Sequence, residues 1–413
     1  MKMKKEEGRM KNGSNSYSSF GGEADILHSL TLFNQPMRTA IVGGGAAGFF
    51  LAINLKEMEP RMEVIILEAG SRVLRKVRVS GGGRCNVTNT FAGVTDLAQV
   101  YPRGHRLMRR LFHTFSPEDA YQWFERHGVP LTIQPDGCVF PRSQQSQSII
   151  DCLTDHARRL GVEVVFGQRI TDLDVLVDYD FVCVTTGGNV REGCPSLFTF
   201  SIDDPALHTL MGCVVEGVTA QLAGTKFRAQ GPLLITHWGV SGPCILRLSS
   251  YAARHLYEQQ YRATLSVNWL STPEAEVKAA LSDAALSHPQ RQVSTVNPFA
   301  LPSRLWQYLL QKAGISKRWN EMTAKDLNRL ANALTADTYP ISGRAPFRDE
   351  FVTCGGIPLS SLNPQTLESR NRPRTYYAGE VLDIDGITGG FNFQCAWTTA
   401  YTVARSIATH STH

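Results

Sequence analysis

The sequence predicts an α/β protein. A parallel, dinucleotide-binding-type sheet (Rossmann-like) is assembled from both ends of the chain, and a β-rich lobe is inserted between them. Three observations carry this reading. The apolar run Arg38-Thr39-Ala40-Ile41-Val42 feeds directly into Gly43-x-Gly45-x-x-Gly48. A second apolar run, residues 64–67, ends on Glu68 at the spacing expected of a ribose-binding acid. A second dense glycine cluster lies at residues 379–390, near the far end of the chain.

The elements follow in order. Residues 1–36 mix Lys2, Lys4, Lys5, Arg9 and Lys11 with Gly, Ser and Asn, and read as a disordered tail without a signal peptide. Met37, directly before the first strand, is a candidate translation start. In the fingerprint, Gly43 permits the tight turn, Gly45 lets backbone approach a pyrophosphate, and Gly48 lets helix and strand pack closely. The helix opening at Ala46-Ala47 offers unpaired N–H groups and the positive end of its dipole to that pyrophosphate. Glu68, followed by Ala69, can accept from a ribose 2′-OH. A glycine turn that binds nothing is the bland alternative, and the two strands and the acid in register weigh against it.

The run 71–86 carries five cations, Lys76 and Arg84 among them, and the stretch Ser80-Gly81-Gly82-Gly83. Cations suit phosphate, and successive glycines suit close backbone contact with a ligand. A solvated basic loop is the competing reading. Cys85 has no nearby partner cysteine, which favours a packing or hydrogen-bonding role. Residues 116–127 and 147–160 show helical periodicity, and Gly161 stops the second helix. Residues 162–166 and 181–185 read as strands. Thr186, Gly187 and Gly188 follow at a carboxyl end, where open α/β sheets bind ligands.

The cofactor domain is expected over residues 37–188 and again over 348–413, with the insertion at 189–347. Runs 212–218, 224–230 and 263–269 are β-like. Residues 272–336 read as a helical cap punctuated by Pro289, Pro298 and Pro302. Inside the insertion, His237 sits among hydroxyls and turn residues. It is the candidate acid/base, weighed against a hydrogen-bonded structural histidine. In the last segment, residues 374–378 form a strand ending at Gly379-Glu380, and a helix covers 392–408. Glu380 and Asp383 suit ribityl hydroxyls. Gly389 and Gly390 open the helix at Phe391-Asn392-Phe393, whose N–H groups can face the pyrimidine edge of a flavin.

Composition narrows the classes. In 413 residues, 42% hydrophobic and 19% charged content is that of an ordinary globular protein, and +5 is too mild to demand nucleic acid or membrane. Nine cysteines, with no C-x-x-C spacing, argue against a disulfide scaffold, a zinc ribbon or a dithiol redox centre. A cytoplasmic protein with reduced thiols is expected. No metal-ligand cluster, Gly-x-Ser-x-Gly elbow or Walker lysine is present. The expected partner is a small-molecule substrate, with neither nucleic acid nor membrane; nothing indicates an oligomeric state.

The fingerprint with Glu68, the runs Ser80-Gly81-Gly82-Gly83-Arg84-Cys85-Asn86-Val87-Thr88-Asn89, Val139-Phe140-Pro141, Leu233-Leu234-Ile235-Thr236-His237-Trp238-Gly239-Val240-Ser241-Gly242-Pro243, and residues 379–394 resemble the BaiN/RdsA (YhiN-like) family of flavoproteins, also labelled aminoacetone-oxidase-like. The resemblance covers residues 38–408. It implies a two-dinucleotide-binding-type FAD fold with a β-barrel-like insertion and a small helical domain, non-covalent FAD, and oxidoreductase activity. Around FAD it places Gly43, Gly45, Ala47, Gly48, Glu68, Lys76, Ser80, Gly83, Asn86, Thr186, Gly187, Glu380, Asp383, Gly390, Asn392 and Phe393, with Arg169 and Ile170 beside the adenine. The chain departs from the family pattern at residues 189–204, which lack a Gly-Asp-Gly stretch. The reading is an FAD-dependent oxidoreductase passing a hydride between flavin N5 and a small organic substrate or transient NAD(P)H. A tRNA-modifying flavoprotein and a non-catalytic FAD-binding protein are the alternatives.

Overall fold

A computed structural model describes residues 36–188, 193–345 and 352–411. Apart from Pro36, the expected tail lies outside them. Five strands, β1 (Arg38–Val42), β2 (Glu63–Glu68), β3 (Glu163–Phe166), β4 (Phe181–Val184) and β5 (Thr375–Tyr377), form one wholly parallel sheet in the order β5-β4-β1-β2-β3. β1 has a neighbour on each side and is covered on both faces. This explains its continuous apolar run: Ala40 and Ile41 are fully buried. β5, contributed some 190 residues after β4, pairs directly with it, so the two ends of the chain share one sheet.

Helix α1 (Ala46–Met58) is apolar nearly all round because it is covered nearly all round. The last helix, α2 (Phe391–Ser411), packs along it, and the Phe50 ring meets Trp397 and Trp123 at 5.0 and 4.5 Å between centroids. The helix predicted at 116–127 runs Pro117–Arg126, started by a reciprocal Ser116–Asp119 capping box. The one predicted at 147–160 runs Ser146–Arg159.

The segment between β4 and β5 holds a seven-stranded antiparallel sheet. Its order is Asp337–Ile341, Ala263–Asn268, Val214–Leu222, Arg228–Thr236, Gly239–Ser241, Phe200–Ser201, Gly343–Arg344. The two outermost strands are separated in sequence by Ser342 alone, so the sheet must be rolled into a barrel-like form. Helices Glu274–Ser287, Ser303–Ala313 and Ala324–Thr335 fall within the expected cap. They share the barrel's core, in which Leu222 and Val267 join Trp306, Leu309 and Leu334. The β-run expected to stop at 230 instead continues to Thr236. Between the pairs Val215–Leu233 and Val218–Gly231, Glu216 and Gly217 stand opposite Pro232 alone, so the neighbouring strand bulges around the proline, with Gly217 at φ +66°, and the Gly231-Pro232 pair does not end its strand.

Two short strands, Cys194–Ser196 and Val352–Cys354, lie at either end of this lobe and pair antiparallel with each other.

Candidate functional site

The site is built at the carboxyl ends of β1, β2 and β4, where α1 begins. Gly43 has φ +113°, and a Cβ there would lie 2.6 Å from the Thr185 carbonyl oxygen. A Cβ on Gly48 would lie 2.1 Å from the Gly43 carbonyl oxygen. Both glycines are therefore required by packing. Gly45 differs: a Cβ there meets nothing within 4 Å. It opens α1 and leaves the first N–H groups of the helix without a capping side chain. Ala46 is half-buried and Ala47 packs against Gly379, whose Cβ would meet Ala47 Cβ at 2.7 Å.

Glu68 is held from both sides. Its Oε2 accepts from the Gly44 N–H at 2.8 Å and its Oε1 from the Gly70 N–H at 2.7 Å, past exposed Ala69. The carboxylate keeps lone pairs for a further donor. The Gln168 N–H donates to the Glu68 carbonyl at 2.9 Å, which brings Arg169 and Ile170 alongside the end of β2.

Residues 75–79 of the basic run are helical. The chain then turns sharply through Gly81, Gly82 and Gly83, at φ +56°, +68° and +84°. A Cβ on Gly82 or Gly83 would meet nothing, whereas one on Gly81 would crowd the Asn86 N–H and the Phe140 ring. Ser80 donates to the Val77 carbonyl, and Arg84 lies over the Phe140 ring. Cys85 is fully buried and burial pushes its thiol up to about 12, so it is packing and not a nucleophile.

The two halves of the chain meet here. Lys76 donates to Glu380 at 2.5 Å, and Glu380 also accepts from the Thr353 N–H at 3.0 Å. Gly187 borders Glu380 beyond exposed Thr186, and a Cβ on Gly188 would collide with the Thr353 side chain at 2.2 Å. Gly389 and Gly390, at φ +128° and +87°, lead into α2; a Cβ on Gly390 would meet the Thr88 carbonyl at 2.3 Å and Asn86 Oδ1 at 2.8 Å. Asn86 Oδ1 is buried and has no hydrogen-bond partner. Phe391 turns its ring into a cluster with Phe91 and Tyr101, and Phe393 stacks on Trp397. Asn392 clasps Gly386, accepting from its N–H and donating to its carbonyl at 2.8 and 2.9 Å.

Asp383 is bound through both oxygens by Arg254 of the inserted lobe, at 2.9 Å each. Sequence reasoning missed the neighbouring contacts. Fully buried Asp385 accepts two bonds from Arg103 and one from Ser196. Burial raises its carboxyl and the Arg103 hydrogen bonds oppose that. Arg103 also donates to the Ser250 carbonyl at 3.0 Å. Arg103 and Asp385 lie 282 residues apart, and no local pattern marks them. Also missed was the pairing of Cys194 with Cys354: C-x-x-C spacing is not the only way two cysteines meet.

His237 is exposed in the turn between Arg228–Thr236 and Gly239–Ser241, its ring edge-on to Trp238. The turn leads to helix Pro243–Tyr251, whose end touches the cofactor lobe where Tyr251 donates to the Gln99 carbonyl. A cavity of about 710 Å³ opens beside Thr88, Asn89, Phe91 and Tyr121, lined entirely by the cofactor lobe. Among the described residues no cluster of metal-ligating side chains is present, and no helix is long and apolar enough to cross a membrane.

These features fit FAD: open space over Gly45, an anchored Glu68, a helix N-terminus at Gly390, and an unpartnered buried acceptor on Asn86 beside it. The family described as HI0933-like protein Rossmann domain matches residues 37–406. The chain belongs to that family. It is an FAD-dependent oxidoreductase with a Rossmann-like domain and a separate antiparallel sheet. A ribosomal RNA dihydrouridine synthase of Escherichia coli is 29% identical over 404 residues, spanning 89% of this chain and 97% of the relative. A 3-dehydro-bile acid delta(4,6)-reductase of Clostridium scindens is 26% identical over 409 residues, spanning 90% and 99%. Among solved structures, a 3-ketosteroid delta1-dehydrogenase from Sterolibacterium denitrificans aligns with TM-score 0.45 and 12% identity, covering 91% of this chain and all of that one.

Proposed function

We propose that this flavoprotein reduces a carbon–carbon double bond conjugated to a carbonyl group. The observation that carries the reading is the turn at Gly389-Gly390 entering α2 against the orphaned Asn86 acceptor, a cradle suited to the polar edge of a flavin. Bound FAD would supply a hydride from N5. The α2 N-terminus would set a positive dipole against charge accumulating at the pyrimidine edge, and Asn86 Oδ1 would accept from an N–H there. Two relatives with different names support the same bond change. Dihydrouridine is uridine with its ring double bond reduced, and a delta(4,6)-reductase acts on unsaturation conjugated with a ketone.

The substrate would lie where the insertion meets residues 379–390, with Arg103 and Arg254 at that seam. We assign His237 as the polar group serving the carbon that does not receive the hydride. A net charge of +5 does not separate an RNA base from a small enone. NADPH or NADH as the source of electrons belongs to the same proposal.

One experiment tests it. The purified protein is reduced anaerobically with NADPH, NADH or dithionite and mixed with a ribosomal RNA transcript or a steroid dienone. The expected result is reoxidation of the flavin with a gain of two hydrogens in one of the two substrates. Reoxidation by oxygen alone, with both substrates unchanged, overturns the reading. His237→Ala should slow the step without lowering FAD content.

A further inference from the structure

Two thiols that the mechanism does not use face each other where the inserted lobe joins the cofactor lobe. Cys194 and Cys354 are direct partners in the antiparallel pair of strands at the two ends of the insertion. The pair between them and Ser196–Val352 is Thr353–Pro195. Pro195 has no N–H, and the Thr353 N–H goes to Glu380, so that central pair is not a hydrogen-bonded one. The flanking pairs, Cys194–Cys354 among them, are then the hydrogen-bonded kind, with Cα atoms about 5.5 Å apart. That separation falls inside the range a disulfide requires, and opposed residues of a ladder project to the same face. The two cysteines form a small buried cluster with Ala253, and their thiols interact.

Their surroundings favour one of the two as nucleophile. The hydrogen bond from Cys354 and the guanidinium groups of Arg103 and Arg254 hold the Cys194 thiol below the usual cysteine range. The thiolate is the reactive form. Cys354 is fully buried and Cys194 is 4% exposed, so an oxidant must be close to the size of water.

We infer that Cys194 and Cys354 are a reversible oxidation site, closing to a disulfide that staples the inbound and outbound strands of the inserted lobe when the protein meets hydrogen peroxide. The Cys194 thiolate attacks one peroxide oxygen. The O–O bond breaks, leaving a sulfenic acid on Cys194 and, after protonation, one water. The Cys354 sulfur then attacks Cys194 Sγ. The S–S bond forms, the S–O bond breaks, and the departing hydroxide takes the Cys354 proton to leave as a second water. In sum, two thiols are oxidised and one peroxide is reduced to two waters. A dithiol reductant reverses the bond by exchange.

The test uses the full-length holoprotein. It is exposed to graded hydrogen peroxide, quenched with N-ethylmaleimide under denaturing conditions, and digested without reductant. Mass spectrometry should find the Cys194 and Cys354 peptides joined with the loss of two hydrogens, and dithiothreitol should release them. In Cys354→Ser the resolving sulfur is gone, and the sulfenic acid on Cys194 should instead be trapped when the peroxide-treated variant is unfolded in denaturant containing dimedone. Cys85, with its raised thiol, should keep its maleimide label throughout. The inference is overturned if both cysteines remain fully alkylated at peroxide doses that oxidise the exposed methionine Met211, or if either is joined to a different cysteine. Both readings come from the wild-type protein, so they stand even where the serine variant does not fold.

Discussion

At the scale of single residues, the glycines of the fingerprint divide by what surrounds them. Gly48→Ala would force a Cβ to 2.1 Å from a backbone oxygen, so the variant should lose about 1–3 kcal/mol of stability before any cofactor is added, measured by urea unfolding of the apoprotein. Gly45→Ala introduces its methyl into open space. Its apoprotein should unfold within about 1 kcal/mol of the parent, while FAD binding weakens at least tenfold by titration calorimetry, because the methyl stands where backbone would approach the pyrophosphate. Asn86 gives the converse case. Its buried acceptor has no partner, so Asn86→Ala should leave the apoprotein as stable or more so, yet weaken FAD by roughly five- to a hundred-fold. Equal loss in both states would show that Asn86 is only structural.

At the scale of elements, the ends of the chain were legible because local patterns mark them. The apolar run of β1 and the helical periodicity of residues 116–127 are written in neighbouring residues. So is the stop at Gly161, which has φ +74°. The continuation of the strand through Gly231-Pro232 was not legible, since that pair ends a strand unless its partner bulges to receive it, as Glu216-Gly217 does opposite Pro232. The seam contacts were hidden for a different reason. Arg103 and Asp385 are joined by topology alone, as are Arg254 and Asp383. They carry a prediction. Asp385 is fully buried, and removing its cation leaves a charge without a partner. Arg103→Ala should cost about 3–5 kcal/mol, read from the denaturant midpoint, and Arg103→Ala with Asp385→Asn together should cost less than the first alone. The exposed Lys76–Glu380 pair is worth little to stability by comparison; its meaning is where it sits, between the two halves.

At the scale of the whole molecule, one sheet made from both ends of the chain ties folding to the cofactor. FAD bound only by the native state should stabilise it by about 2.7 kcal/mol at a free concentration one hundred times its dissociation constant. Stripping FAD should therefore lower the melting temperature, and adding it back should restore it in proportion to the logarithm of concentration. A melting point indifferent to FAD would mean that the termini hold together without it. The inserted lobe was legible as β-rich with a helical cap. Its rolled form was not, because that depends on Ser342 separating strands at opposite margins of a sheet.

The strands bearing Cys194 and Cys354 lie side by side, so the inserted lobe leaves the cofactor domain and returns to it at nearly one point. A module attached in this way can be exchanged without rethreading its host. A turn of a few residues could close the gap, or a different roof could be grafted there, with the nucleotide-gripping half left intact. Recombination at such a junction is an economical route by which one ancestral scaffold could acquire new substrates.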